Sequence, residues 1–337
     1  MRGIQCLTII LFAGIALNFG VAVFAQTPGQ YPSTQIASRE VVIQMYLPDA
    51  EKGYYRGTRF DWSGLIQQVK YQGHTFFGNW KTTHNPTNYE DANGTAGEFG
   101  ANSPLGYGEA KVGDVFIKIG VGKLRKASNQ SYQFSYNYKI VEPFPWAIKS
   151  GDSWIEFEQR IDEFQGWGYH YVKRIELNLE KPEFTITHTL QNTGTKLIDT
   201  DHYCHNFTII DEDPIGDHYR LQFPFAVKAR QSLKGIAEVI DREIVFKKSL
   251  INNWLFSELD GVESIPEHNQ VTITNVKTGA RLRITGDRPP IKFNFYAADL
   301  AVCPEPFVTV KIAPGETFTW ENRYALFVNS AAALPEK

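Results

Sequence analysis

The sequence predicts an all-β fold, a large antiparallel β-sandwich, on three observations. Short segments alternate apolar and polar residues with a period of two, the mark of strands with one buried face. Turn residues such as Asn192-Thr193-Gly194 separate these segments at short intervals. No long helical pattern interrupts them, and the aromatic content is 14%, with 16 Tyr, 23 Phe and 7 Trp among 337 residues. Rings of this kind pack well on a pleated surface.

The elements follow in chain order. Arg2 precedes an apolar run from Leu7 to Phe24, which ends in Val23-Phe24-Ala25 before Gln26. A basic start, an apolar stretch and a small residue make a secretory signal over residues 1–25, cut after Ala25. The run is also about long enough to span a bilayer as an uncleaved anchor. The signal reading places the mature protein in the periplasm or outside the cell, with Cys6 removed and no membrane association remaining. Residues 26–40 are polar and turn-rich and read as an N-terminal arm or linker. Residues 41–337 show no internal Pro/Ser-rich linker and no repeat, so they are expected to form a single domain.

Within that domain, Val115, Ile117, Ile119 and Val121 alternate with Phe116, Lys118 and Gly120. Tyr132, Phe134, Tyr136, Tyr138 and Ile140 form a second alternating run, and Phe184, Ile186, His188 and Leu190 a third. Val271 with Ile273 and Leu282 with Ile284 flank a turn at Lys277-Thr278-Gly279. Residues 242–256 hold the one short helical candidate. Ala313-Pro314-Gly315-Glu316 reads as a tight turn into a closing strand through Trp320, Tyr324 and Phe327.

Composition and motifs exclude several functions. The formal net charge is −3 with 21% charged residues, which fits neither a disordered chain nor a protein that tracks phosphates on nucleic acid. Three cysteines do not make a disulfide scaffold. There is no phosphate-binding GxxxxGK[ST] loop, no dinucleotide fingerprint, no HExxH and no CxxC. His202 and His205 fall on opposite faces of an extended segment and so do not share a metal. The acidic group Asp211, Glu212, Asp213 and Asp217 reads either as a solvated loop or as a calcium site.

Two segments hold chemistry. In Asp201-His202-Tyr203-Cys204-His205-Asn206-Phe207, one face carries Tyr203, His205, Phe207 and Ile209, so His205 is either a core histidine or a functional one. In Cys303-Pro304-Glu305-Pro306, the prolines remove two N–H donors and fix an extended backbone. That suits the rim of a sheet rather than its centre, with Glu305 either a cleft carboxylate or an exposed loop acid. By the same alternation Cys303 shares the face of Glu305 and Cys204 points away from that of His205, which argues against a disulfide between them.

Taken together these segments resemble the galactose mutarotase-like superfamily, which includes aldose 1-epimerases and hexose-phosphate 1-epimerases. The resemblance rests on Leu190-Gln191-Asn192-Thr193-Gly194, then His205-Asn206-Phe207, then Cys303-Pro304-Glu305-Pro306, then Ala313-Pro314-Gly315-Glu316-Thr317-Phe318 and Tyr324-Ala325-Leu326-Phe327. It runs through residues 50–328 and is most specific at the C-terminal end. His202 offers a competing alignment, and His205 is preferred because it precedes the Asn-Phe pair. The family's second histidine and its sugar-binding aspartate have no clear counterpart.

The resemblance implies an aldose 1-epimerase-like isomerase that interconverts sugar anomers without metal or organic cofactor. Glu305 would act as base, and His205 as acid, on opposite sides of one sugar ring. Ordinary side-chain values leave Glu305 ionised near neutrality and His205 at the edge of protonation. Arg59 matches the family's cleft arginine, and His74 and Glu98 are candidates for the missing second histidine's place. Arg125 and His170 are further candidates for contact with ring hydroxyls, and Trp80 and Trp167 for stacking. A secreted location favours a non-phosphorylated carbohydrate as substrate, and the weak charge already excludes nucleic acid as partner. Two other readings share the fold: a non-catalytic carbohydrate-binding protein, and a lyase or hydrolase acting on a polysaccharide.

Overall fold

The computed structural model describes residues 31–328; the signal expected over residues 1–25 lies outside them. The strands, in chain order, are β1 (Ser33–Ala37), β2 (Val41–Tyr46), β3 (Leu65–Tyr71), β4 (His74–Thr75), β5 (Gly94–Phe99), β6 (Val115–Lys118), β7 (Gly122–Arg125) and β8 (Ile140–Pro143). Next come β9 (Ala147–Ser150), β10 (Trp154–Phe164), β11 (Trp167–Leu177), β12 (Glu183–Asn192), β13 (Ile198–Phe207), β14 (Tyr219–Gln222), β15 (Lys228–Ala229) and β16 (Ala237–Ile240). The last are β17 (Glu243–Phe246), β18 (Trp254–Asp260), β19 (Gln270–Asn275), β20 (Ala280–Gly286), β21 (Lys292–Ala298), β22 (Val302–Ile312) and β23 (Thr317–Val328). A single 3-10 turn, Pro266–His268, is the only helix among the described residues.

Two sheets form the sandwich. One has ten strands in the order β16-β17-β14-β19-β20-β23-β12-β11-β10-β9, and the other has six in the order β15-β18-β21-β22-β13-β5. A four-stranded sheet (β1-β2-β3-β4) and a three-stranded one (β6-β7-β8) flank them. The pairings are antiparallel throughout. Between the two large sheets lies a core of fully buried side chains, among them Phe157, Ile175, Phe184, Tyr324, Leu255, Phe293 and Phe295. Period two explains how β21 serves two purposes. Phe293, Phe295 and Ala297 enter this core, so Asn294 and Tyr296 must project from the sheet's other face.

Four expectations are corrected. Part of the arm expected over 26–40 is strand β1, which pairs with β2 from Ser33↔Tyr46 to Ala37↔Val42. The helical candidate at 242–256 is strand β17 and the start of β18. The alternation at Tyr132–Tyr138 is a loop, whose apparent period comes from local ring packing. Tyr132 and Tyr138 stack at 5.3 Å, while Phe134 and Tyr136 stay exposed.

The fourth correction concerns Glu305, which lies not at a rim but on β22, between β21 and β13. The two prolines are tolerated there because the ladder to β13 is open beside them. Tyr203 stands opposite Phe307 and Thr208 opposite Val302, yet no ladder pair is formed between β13 and β22 in the stretch between. The Asn206 side chain spans this gap and donates to the Pro304 carbonyl at 3.0 Å. The missing proline donors therefore fall where no partner needs them.

Candidate active site

Counting inward from Tyr203↔Phe307 and Thr208↔Val302 places His205 directly across from Glu305. Cross-strand partners share a face, and His205 Nε2 lies 3.0 Å from Glu305 Oε1. The open ladder thus puts the two titratable groups of the site in contact, on the face of the six-stranded sheet turned away from the core. Cys303 and Cys204 are both buried and free. Cys303 packs with Phe207 and Trp80, whereas Cys204 lies 3.7 Å from the Tyr324 hydroxyl in the sandwich interior.

A cavity of about 610 Å³ opens over this face. Its floor is Tyr203, His205 and Phe207 of β13, Glu305 and Phe307 of β22, Lys292, Asn294 and Tyr296 of β21, and Trp254 and Phe256 of β18. Loops supply the walls: Arg59, Trp80, Tyr89, Glu90, Ala101, Asn102 and Phe134. The loop carrying Arg59 lies down on β5, where the Gly97 carbonyl accepts from Asp61 N at 2.8 Å. The His205 ring is held by stacking on Phe207 at 4.1 Å and by an edge contact with Phe60.

Beneath the cavity sits a charge cluster. Arg59 Nε is 2.8 Å from Glu98 Oε2, and Lys118 Nζ is 3.1 Å from Glu98 Oε1. Arg59 also donates to the Tyr203 hydroxyl at 2.7 Å, and Tyr203 donates to Glu98. Burial pushes the Glu98 carboxyl up, but Lys118, Arg59 and the Tyr203 hydroxyl together hold it below the usual glutamate range. Arg59 is clasped between the Phe60 and Phe134 rings at 4.5 and 4.2 Å.

The reacting pair behaves otherwise. Burial pushes Glu305 up to about 8, with Arg59 opposing and Glu98 adding to the rise. Burial, reinforced by the Arg59 charge, holds His205 well below the ordinary histidine value. This reverses the order expected from the ordinary values, because a buried site favours the neutral form of each group. At neutral pH the pair then carries one proton, on Glu305. The geometry is also not that of two groups on opposite sides of a ring, since they touch. Two buried polar atoms on this face, His205 Nδ1 and Asn294 Oδ1, have no hydrogen-bond partner among the described residues.

Of the residues singled out from sequence, Glu305, His205, Arg59 and Trp80 line the cavity. Glu98 does not; it lies under Arg59 as that side chain's anchor. His74 is on the edge strand β4, with Nδ1 2.9 Å from Asp211. Arg125 is exposed on β7 and donates to the Gly113 carbonyl. His170 projects from the outer face of the ten-stranded sheet, 3.0 Å from Glu158, because Tyr169 and Tyr171 on either side of it point inward. Trp167 lies on the same strand under Lys196. His202 is on the sandwich side of β13, where Trp320 Nε1 donates to its Nδ1 at 3.2 Å. In the acidic group, Asp211 serves His74 while Asp213 pairs with Lys277 and His218. Among the described residues the lining has one histidine, two carboxylates (Glu90 and Glu305) and no aspartate.

The sequence matches no protein-family model and no curated protein. Solved structures do match. A galactose mutarotase-like protein from Clostridium acetobutylicum is similar at a TM-score of 0.56 and 11% identity, over 88% of this chain and 95% of that one. An aldose epimerase homologue from C. elegans gives 0.54 and 12%, over 88% and 99%. A galactose mutarotase related enzyme from Lactobacillus acidophilus gives 0.51 and 13%, over 89% and 98%.

Proposed function

With the galactose mutarotase-like fold as premise, we propose that the protein is an aldose 1-epimerase-like enzyme. It interconverts the anomers of a non-phosphorylated sugar, outside the cytoplasm if the N-terminal segment is a signal. The observation that carries this reading is the contact between Glu305 and His205, which together hold one proton on the floor of a cavity. Anomer exchange opens a hemiacetal, so a proton must leave the C1 hydroxyl while another reaches the ring oxygen. Both oxygens are bonded to C1, so a touching acid and base can serve them together.

The proton inventory then balances. At the start Glu305 is a carboxylic acid and His205 is neutral, with Nε2 unprotonated. Glu305 gives its proton to the ring oxygen as the C1–O bond breaks, and His205 Nε2 takes the proton of the C1 hydroxyl. That proton then passes from Nε2 to the carboxylate across the 3.0 Å contact. The products are an open aldehyde, a protonated Glu305 and a neutral His205. Rotation about C1–C2 presents the other face of the aldehyde, and the same steps in reverse close the ring. Arg59 fixes the Tyr203 side of the cavity.

Saturation-transfer NMR across free aldoses and uronic acids tests the reading. Exchange above the spontaneous rate that falls about 10²–10⁴-fold in Glu305→Gln supports it. A lining without a second histidine or an aspartate supports a non-catalytic carbohydrate-binding protein instead. That reading would stand if no sugar exchanged faster with the protein than without it.

A further inference from the structure

The cavity floor is polarised along the strands. At one end Arg59 and Tyr203 are buried, 9% and 2% exposed, and wall off the space beyond the reacting pair. In the other direction the same sheet face carries three aromatic residues, the half-buried Tyr296 and Phe256 and the exposed Trp254. Tyr296 lies one strand over from Glu305, and Phe256 stands opposite Tyr296 on β18. Trp254, two residues further along β18, is 55% exposed. Strand spacing and rise put the three about 8, 12 and 16 Å from Glu305, with about 5 Å between Tyr296 and Phe256 and about 7 Å between Phe256 and Trp254. The whole path is about as long as three successive rings of an extended glycan beyond the reacting one. Lys234 covers one face of Trp254, 4.1 Å from the ring centre, and holds the residue through its carbonyl at 2.7 Å. A cavity of about 610 Å³ is several times larger than a single pyranose ring, and pyranoses present flat C–H faces to aromatic rings.

We propose that the occupant is the reducing end of an oligosaccharide of at least four rings, and that Tyr296, Phe256 and Trp254 form a stacking track for the rings behind the reacting one. The inference rests on the epimerase reading only for which end of the glycan enters. A hemiacetal exists only at the reducing end, so a chain whose first ring meets Glu305 and His205 must leave past Trp254. The track selects for chain length.

The test is calorimetric titration of the whole protein with the mono- to tetrasaccharides of β-1,4-linked glucose, α-1,4-linked glucose and β-1,4-linked uronate. Affinity is expected to rise about tenfold from one ring to four in at least one series, the scale of one or two stacking contacts. The part of that gain contributed by the fourth ring should vanish in Trp254→Ala and persist in Trp254→Phe. Trp254 is half-exposed, so neither variant threatens the fold. Equal affinity at every length in all series, including no binding in any, overturns the proposal. A fourth-ring gain that survives Trp254→Ala, or no gain at the fourth ring in any series, also overturns it. Length-dependent binding without anomer exchange would sustain the track while removing the epimerase reading. Anomer exchange with length-independent binding would do the reverse.

Discussion

Glu98 and Glu305 are both buried carboxylates within reach of Arg59, yet they lie on opposite sides of the ordinary glutamate range. Glu98 has Lys118, Arg59 and the Tyr203 hydroxyl in direct contact, and these outweigh the cost of burial. Glu305 has a neutral histidine and an asparagine beside it, with Arg59 acting only through space, so burial wins. Depth alone does not decide whether a buried acid is ionised; the charges in its first contacts do. The fold uses the first carboxylate as a fixed anchor and keeps the second able to hold a proton near neutrality, a combination typical of acid–base sites.

The variants that sharpen this contrast are ordered by the size of effect expected. Glu98→Gln strands two buried cations and should cost about 3–5 kcal/mol of unfolding free energy, read from the urea midpoint. Glu305→Gln should do the opposite. The native state binds more protons than the unfolded one between the unfolded carboxylate range and about 8. Stability from this group is therefore present at acid pH and lost as pH rises through that window. Its removal should stabilise the protein at mildly alkaline pH and leave no gain below about pH 4. Equal destabilisation by the two substitutions would break the comparison.

Anomer exchange needs the pair's one proton, so its rate should fall as pH rises past about 8. Arg59 holds the Glu305 value down, so Arg59→Gln should move this alkaline limb upward by about one pH unit, whatever it does to the maximum rate. His170→Ala and Arg125→Ala, which lie outside the cavity, should change neither exchange nor stability by more than about 0.5 kcal/mol.

How much of this was legible in the sequence follows from where each residue sits. The sandwich could be read from alternation in β6, β12, β19 and β20, where alternate residues point into the core. Glu305, His205 and Arg59 could be read because their motifs occur in order along the chain. Tyr296, Asn294, Lys292 and Phe256 could not. Lys292–Ala298 reads Lys-Phe-Asn-Phe-Tyr-Ala-Ala, so its alternation turns Phe293 and Phe295 inward, but a face of Lys292, Asn294 and Tyr296 looks the same whether it meets a cavity or bulk solvent. The prolines suggested a rim because a sequence shows the lost donors, not the open ladder and the Asn206 side chain that make them harmless. Glu98 and His170 were misplaced for one reason. Polar residues beside aromatic ones look the same whether they face a ligand, an ion pair or solvent. The inverted protonation of the Glu305–His205 pair is a property of burial and lies beyond any reading of residue types.

The most direct test of the account is the protonation of Glu305 itself. Carboxyl ¹³C resonances of glutamate-labelled protein, followed against pH and assigned by difference from Glu305→Gln and Glu98→Gln, report it without any substrate. The account predicts that Glu305 titrates with a midpoint near 8 while Glu98 stays ionised throughout the neutral range. A Glu305 resonance already fully ionised at about pH 6, as for an ordinary glutamate, would contradict it.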